Sequence, residues 1–145
     1  MTSLFANRVI SQIVKTLLII EMGVLVYVLA LLIYPYRTVE FNKLPIGVTN
    51  KTVKVGGVLS INVDSCRYTS VPTETSRRIV DGIVYVLPNA IINNNLGCKK
   101  TTALINIPEG VEPGKYHLVS DLSWKVNPIR VITKTVESEE FTVVE

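Results

Sequence analysis

The stretch Leu17–Tyr34, LLIIEMGVLVYVLALLIY, divides this chain into two parts of different character. Its eighteen residues are almost all aliphatic, and apart from two tyrosines only Glu21 and Gly23 interrupt the run. A helix rises about 1.5 Å per residue, so this stretch would cover roughly 27 Å, close to the thickness of the hydrocarbon core of a bilayer. The sequence therefore predicts a transmembrane helix, with Leu17, Glu21, Gly23 and Tyr34 as membrane residues and the lipid bilayer as a partner.

Residues 1–36 form the membrane-related part of the predicted organisation. Leu4–Thr16 mixes apolar and polar positions and is interpreted as an amphipathic lead-in to the helix. A cleaved signal peptide is the alternative, but the apolar run is long and lacks small residues at its end. We expect an uncleaved signal anchor. Tyr34 and Tyr36 suit the membrane–water interface, and Pro35 stops the helix.

The orientation of the helix is not decided by charge. Arg8 and Lys15 flank one side, and Arg37 and Lys43 flank the other, so the positive-inside count is a tie. The cysteine pair and the β-rich remainder favour an N-terminus inside the cell and a C-terminal domain outside it.

Glu21 is the unusual residue of the apolar run, because a charge within a membrane is costly. It lies about one turn from the membrane edge, where its side chain could reach the interface or pair with Lys15. The alternative is a role in helix–helix contact within an oligomer. Gly23 alone makes no small-xxx-small motif, so support for that role is thin.

Two cysteines, Cys66 and Cys98, lie in the second part of the chain. A disulfide between them is expected if the domain is outside the cytoplasm, and it would close a loop of roughly 33 residues. The alternative is two free thiols in a reducing compartment. Two thiols and the single histidine, His117, are too few for a zinc site of the usual four-ligand kind, and no metal or cofactor site is predicted.

Residues 37–145 change from helical to alternating periodicity, which is typical of strands. Seven or eight short strands with regular turn signals predict a mainly β fold, an immunoglobulin-like or fibronectin-like antiparallel β-sandwich that occupies residues 37–145. The predicted strands are Val39–Leu44, Thr52–Val55, Val58–Arg67, Ile79–Leu87, Thr101–Ile107, Lys115–Trp124, Arg130–Val136 and Glu140–Val144.

Two details of the strand pattern bear on topology. Asp81-Gly82 is either a hairpin turn or a bulge in one long strand, and the bulge is favoured. Cys98 is expected in a loop, and Cys66 has the opposite parity to the apolar face of its strand. A bridge between them should therefore be peripheral, unless a bulge near Asp64-Ser65 turns Cys66 inward.

The second part of the chain offers little material for catalysis or nucleic-acid binding. From Arg37 onward 13 Lys and Arg stand against 11 Asp and Glu, without the clustered cations of a nucleic-acid face. His117 should face outward from its strand, the acidic residues are scattered, and no catalytic residue is assigned. At the tip of the last long hairpin, Asn127 and Arg130 are candidates for contact with a partner, although a plain turn is the favoured interpretation.

Two resemblances add to this interpretation. The connection Ile107–Tyr116 resembles the entry to the penultimate strand of immunoglobulin-like and fibronectin-like domains. That likeness implies that the Tyr116 ring packs in the core, that its hydroxyl bonds back to the loop, and that Trp124 caps the same face.

The second resemblance covers most of the chain, which looks like small membrane-anchored proteins of tailed bacteriophages. The segments that carry this likeness are the anchor, Cys66-Arg67-Tyr68, Gly97-Cys98, Ile107–Leu118, Val126–Arg130 and Glu139–Val143. This likeness implies a bacterial host, an inner-membrane anchor and a periplasmic immunoglobulin-like domain, and it supplies no functional residues.

The function expected from these features is a single-pass, non-enzymatic interaction or structural module that binds an unknown protein partner or a second copy of itself. The alternative is a lysis or membrane-perturbing protein that acts through its helix, suggested by Glu21 and the amphipathic lead-in. An enzyme ranks last.

Overall fold

The structure is a computed structural model that describes residues 2–93 and 95–145, with side chains described from Ile10 onward except at position 94. The chain divides into two compact units. One contains the N-terminal residues up to Pro35 together with Asn127–Arg130, and the other contains Tyr36–Val126 and Val131–Glu145.

The first unit is built on one helix, α1, Thr2–Ile33. Its part Ile10–Ile33 is long and apolar enough to cross a membrane, and none of that part is buried in the protein. Aliphatic side chains are exposed all around this part of the helix, which is expected where lipid is the solvent. The predicted lead-in and the predicted span are therefore one continuous helix, which begins well before Leu17. The side chains of Leu4, Phe5, Arg8 and Val9 lie outside the described part.

The second unit is a mainly β domain, and the structure describes ten strands in residues 36–93 and 95–145. They are β1 Val39–Phe41, β2 Gly47–Val48, β3 Thr52–Lys54, β4 Val58–Arg67, β5 Thr73–Asp81, β6 Ile83–Ile92, β7 Gly97–Asn106, β8 Gly114–Asn127, β9 Arg130–Glu137 and β10 Phe141–Val144. The prediction of an immunoglobulin-like or fibronectin-like sandwich is confirmed.

The strands form two sheets. In the smaller sheet β4 pairs with β7 along its length, from Val58 opposite Asn106 to Arg67 opposite Gly97, while β1 and β2 line its other edge. The larger sheet has the order β3-β10-β8-β5-β6, with β9 also beside β8. In the larger sheet β10 pairs with β8, and β5 pairs with β6 and β8, all antiparallel, whereas β10 and β3 run parallel.

The core lies between the inner faces of the two sheets, and Trp124, Phe141, Leu59 and Ile79 are its largest fully buried side chains. The indole Nε1 of Trp124 donates to Thr73 Oγ1 at 2.8 Å, so the one polar atom of the ring is satisfied.

Tyr116 behaves as the resemblance implied. Its ring is buried, and its hydroxyl donates to the carbonyl oxygen of Glu112 at 2.8 Å, in the loop before the strand. The ring stands edge-on to Tyr85 at 6.0 Å between centroids. Burial is the main cause that raises the pKa of the Tyr116 phenol.

Several strand predictions need correction. Asp81-Gly82 is a hairpin turn and not a bulge, because Gly82 has a positive φ of 69° and Asp81 pairs with Ile83 across it. The predicted strand Ile79–Leu87 is thus the end of β5 and the start of β6. The first strand stops at Phe41 and not at Leu44, and the short strand β2, Gly47–Val48, was not predicted.

The disulfide Cys66–Cys98 is present, but the expected loop position of Cys98 is wrong. Cys98 lies in β7 directly opposite Cys66 in β4, so the bridge joins neighbouring strands of one sheet. The expectation that it would not be the central bridge between sheets is correct. The remainder of the predicted loop before Gly97 includes Asn94, which lies outside the described residues.

Candidate functional site

The two long sides of the sandwich differ in how the sheets meet. On one side backbone hydrogen bonds join them: Ile46 N donates to the Glu137 carbonyl oxygen at 2.8 Å, and Glu139 N donates to the Ile46 carbonyl oxygen at 2.8 Å. These bonds form a parallel bridge between Ile46 and Ser138. We call this the closed side.

The opposite side, which we call the open side, is formed by β6 and β7. Each is the last strand of its sheet, and among the described residues each pairs with one neighbour only. Both are ten residues long. Aliphatic side chains project from them into solvent; Val86 on β6 is 74% exposed and Leu104 on β7 is 69% exposed. Long, unpaired, apolar strand edges are the surfaces that bind another strand.

A cleft of about 330 Å³ lies between the sheets on the open side. It is lined by residues of both sheets, and its volume is at the lower end of the range for small-molecule sites, roughly 300–1,000 Å³. Most of its lining is apolar. The apolar lining residues are Phe41, Ile46, Ile61, Val63, Ile92, Ala103, Leu104, Ile105, Leu122 and Val136.

The floor of the cleft carries polar side chains where a sandwich core is normally apolar. Thr75 and Arg77 on β5 pair with Leu122 and Ser120 on β8, and all four residues line the cleft. Thr75 is 3% exposed, and its Oγ1 is buried without a hydrogen-bond partner. The Nε atom of Arg77 is also buried without a partner. Such atoms are uncommon in folded proteins and costly when left unpaired.

The charges in the cleft have one sign. Arg77 from the larger sheet and Lys99 from β7 line it, together with Ser65, Thr101 and Ser120 as neutral polar residues. No Asp or Glu is among the described residues that line it. An apolar cleft with cations and no carboxylate is suited to a ligand that is apolar at one end and anionic at the other.

Next to the cleft, Arg67 closes the end of the sandwich. It is only 6% exposed, and its guanidinium donates to three carbonyl oxygens, from Nε to Thr69 at 2.7 Å, from Nη1 to Ile92 at 3.3 Å, and from Nη2 to Val71. Burial lowers the pKa of Arg67. These bonds fix the end of β6 and the segment before β5, and therefore hold the cleft in shape.

The predicted membrane residues all lie in or just after α1. Leu17 and Tyr34 are exposed, and a Cβ atom placed on Gly23 would meet no atom within 4 Å apart from the helix's own backbone. Glu21 makes no ion pair with Lys15 among the described side chains. Six residues on a helix turn through roughly 600°, so the two side chains leave the axis about 120° apart. A role for Glu21 in helix contact stays a prediction.

Asn127 and Arg130, the residues predicted at the hairpin tip, bind the end of α1. Asn127 Nδ2 donates to the Leu31 carbonyl oxygen at 2.9 Å. Arg130 Nη1 donates to the carbonyl oxygens of Leu32 at 2.7 Å and Tyr34 at 2.8 Å. The last carbonyls of a helix have no partner within it and attract cations. Contact of these two residues with another protein stays a prediction.

His117 is exposed, as its parity predicts, and its Nδ1 lies 3.4 Å from the Ser138 carbonyl oxygen. Among residues 2–93 and 95–145, no group of three His, Cys, Asp or Glu side chains is placed to hold a metal ion. Among the described residues, the structure gives the His117 imidazole no hydrogen bond to an acidic side chain or a nucleophile.

The cleft was not predicted from the sequence. The sequence feature that could have indicated it is the spacing of Thr73, Thr75 and Arg77 on β5. These polar residues occupy every second position before buried Ile79 and therefore share its inward face. That alternation was not recognised, because the residues at those positions are not apolar.

Comparison with known proteins gives structural neighbours alone. No family model matches the sequence, and no curated protein matches it. One similar structure is the alkylpurine DNA glycosylase AlkC of Pseudomonas fluorescens bound to DNA containing an abasic site analog, with 12% identity and a TM-score of 0.42 over 77% of this chain. This chain spans about a third (32%) of the glycosylase.

Another similar structure is the CARDB domain of a Pyrococcus furiosus protein in complex with di-metal ions. It has 16% identity and a TM-score of 0.37, over 76% of this chain and 95% of the domain.

Proposed function

We propose that this protein is a single-pass, membrane-anchored, non-enzymatic interaction module whose sandwich binds a protein partner through its open side. The observation that carries the proposal is the pair of ten-residue edge strands, β6 and β7, each of which pairs on one side only among the described residues and carries exposed aliphatic side chains. The domain follows a helix that is long and apolar enough to cross a membrane.

The mode of binding is strand addition, in which a partner segment in extended conformation pairs with a free sheet edge. The free backbone groups of β7 supply hydrogen bonds, and Leu104 supplies apolar contact on the outward face of that strand. β6 contains Pro88, which has no N–H to donate, so pairing along β6 is interrupted there. The edge of β7 is therefore the preferred docking edge, and the partner is a strand of another protein or of a second copy.

The domain is proposed to lie outside the cytoplasm, in the periplasm of a bacterial host whose inner membrane holds the helix. The disulfide Cys66–Cys98 supports this, because disulfides persist in oxidising compartments and are rare in the cytosol. Phage origin is part of the proposal and is supported by the sequence resemblance described above.

Site-specific photo-crosslinking in a bacterial inner membrane tests the interaction. A photoreactive amino acid replaces Leu104 on the edge of β7, and in a matched control it replaces Val131, which is 58% exposed on β9. We expect a discrete crosslinked product from position 104 and none from position 131. Equal products from both positions, or none from position 104, would contradict the proposal.

Protease treatment of the same cells tests the orientation separately. If the domain is periplasmic, protease added after permeabilisation of the outer membrane should reach the sandwich while the inner membrane is intact. Protection of the sandwich under those conditions would place it in the cytoplasm and would remove the compartment from the proposal, whatever the crosslinking result.

A further inference from the structure

We propose that the cleft between the sheets is a binding site for a single-chain fatty acid, with the acyl chain in its apolar part and the carboxylate bound by Arg77 and Lys99. The site lies between the sheets and does not require a protein partner, although Leu104 of the proposed docking edge also lines it.

The first argument is the unpaired polar chemistry of the floor. Thr75 Oγ1 and Arg77 Nε are the buried side-chain atoms without a hydrogen-bond partner in the described residues. Both belong to residues that line the same cleft. A hydroxyl and a guanidinium N–H are donors that a carboxylate can satisfy together. One anionic group bound in the cleft would therefore supply hydrogen-bond acceptors for both atoms.

The second argument is the sign of the charge. Lys99 lies on β7, an edge strand, and is exposed, so its ammonium is solvated without a bound anion. Arg77 lies on β5, which is paired on both sides, with β6 and with β8. A cation on a central strand, facing a cleft without any described carboxylate, fits recognition of an anion.

The third argument is the remainder of the lining. Ile61, Val63, Ala103, Ile105 and Leu122 offer an aliphatic surface from both sheets around the polar floor. Such a surface binds methylene groups by removing them from water. A small hydrophilic anion such as phosphate would leave it unused, so a carboxylate that carries an alkyl chain is the better match.

The test uses the full chain in nanodiscs of phosphatidylcholine, which has no net charge. The probe is dodecanoic acid with a diazirine on its chain, and dodecanol with the same diazirine is the neutral comparison. After irradiation, labelled peptides are identified by mass spectrometry. We expect the acid to label peptides of β5 and β7, and we expect the alcohol to label them much less.

Two variants with the same loss of charge separate recognition from general attraction. R77Q/K99Q removes both cations of the cleft, and R78Q/K100Q removes the neighbouring cations, which pair with Asp121 and Asp64 outside it. We expect R77Q/K99Q to lower cleft labelling by roughly tenfold or more and R78Q/K100Q to change it by less than about twofold. Circular dichroism checks that both variants are folded.

If R77Q/K99Q does not fold, Ala103→Trp provides an independent test, because it fills the cleft and keeps both cations. It should abolish cleft labelling by the acid. Equal labelling by the acid and the alcohol, labelling confined to α1, or equal effects of the two charge variants would each overturn the proposal. These results leave the crosslinking test at position 104 unaffected, so the two proposals can fail separately.

Discussion

Arg130 donates from its guanidinium to the carbonyl oxygen of Leu32 at 2.7 Å, and thereby places a cation at the C-terminal end of α1. The same nitrogen reaches the carbonyl oxygen of Tyr34. A positive charge there complements the negative end of the helix dipole as well as the unpaired carbonyls. The tip of the β8–β9 hairpin thus acts as the C-terminal cap that the helix lacks in its own last turn, where there is no basic residue.

Arg130→Gln should loosen the end of α1. The loss of a cation at a helix C-terminus costs about 0.3–1 kcal/mol, which corresponds to amide exchange faster by roughly two- to fivefold. Hydrogen exchange of the full chain in nanodiscs, followed in peptides that cover Leu31–Tyr34, measures this. Lys125→Gln is the matched control, since it removes the same charge from an exposed position on β8. Equal exchange in both variants would show that Arg130 does not cap the helix.

Removal of the disulfide by Cys66→Ala with Cys98→Ala should lower the free energy of unfolding by about 3–4 kcal/mol, the loop-entropy estimate for a closed loop of this length. The ladder between β4 and β7 continues on the side of the bridge toward Val58, so the domain should remain folded. Urea unfolding of the double variant and the parent measures the change. An unchanged midpoint would show that the ladder alone holds these strand ends.

The outward face of the larger sheet should make stability depend on pH through Asp121. This carboxylate accepts a hydrogen bond from Thr135 Oγ1 at 2.5 Å and pairs with Arg78. The hydrogen bond from Thr135 first, and then the interactions with Arg78, lower the pKa of Asp121. The stabilisation is therefore present above the pKa of the unfolded chain, about 3.9, and is lost as the pH falls through the lower pKa of the folded state.

Asp121→Asn should be less stable than the parent at pH 7, and the difference should shrink as the pH is lowered below about 4. Urea midpoints measured across that range test the expectation. Asp81→Asn is the control, because Asp81 is exposed at the β5–β6 turn. A difference between Asp121→Asn and the parent that stays constant with pH would contradict the assignment.

Tyr116→Phe should lower the free energy of unfolding by about 1 kcal/mol, because the bond from the phenol to the Glu112 carbonyl is lost while the ring remains packed. Tyr68→Phe removes an exposed phenol that donates to Glu40 at 3.2 Å, and it should have a smaller effect. Chemical unfolding of the two variants compares the bonds. A larger loss of unfolding free energy in Tyr68→Phe than in Tyr116→Phe would contradict this expectation.

Sequence reasoning succeeded where the core is apolar. β4 was predicted with its observed bounds, Val58–Arg67, because Leu59, Ile61 and Val63 alternate with polar residues. The helix was evident from composition alone. The place of Tyr116 was implied by the resemblance of the connection Ile107–Tyr116 to immunoglobulin-like and fibronectin-like domains.

Two of the errors lie on the open side. The start of β5 was missed because Thr75 and Arg77 occupy inward positions, and Cys98 was assigned to a loop because β7 begins with exposed polar residues. Strand prediction relies on one apolar face. Where the sheets separate, that face is partly polar, so the pattern is lost at the candidate site itself.

The bridge between Ile46 and Ser138 joins the two sheets by backbone hydrogen bonds on the closed side. Among the described residues, the sheets can part along β6 and β7 without breaking a backbone ladder, since neither strand pairs with the other. We therefore expect the motion of the two sheets relative to each other to be largest at that margin and smallest at the closed side. The volume available to a ligand then depends on how far the two sheets separate at that margin, and the volume of the cleft in this structure is its lower bound.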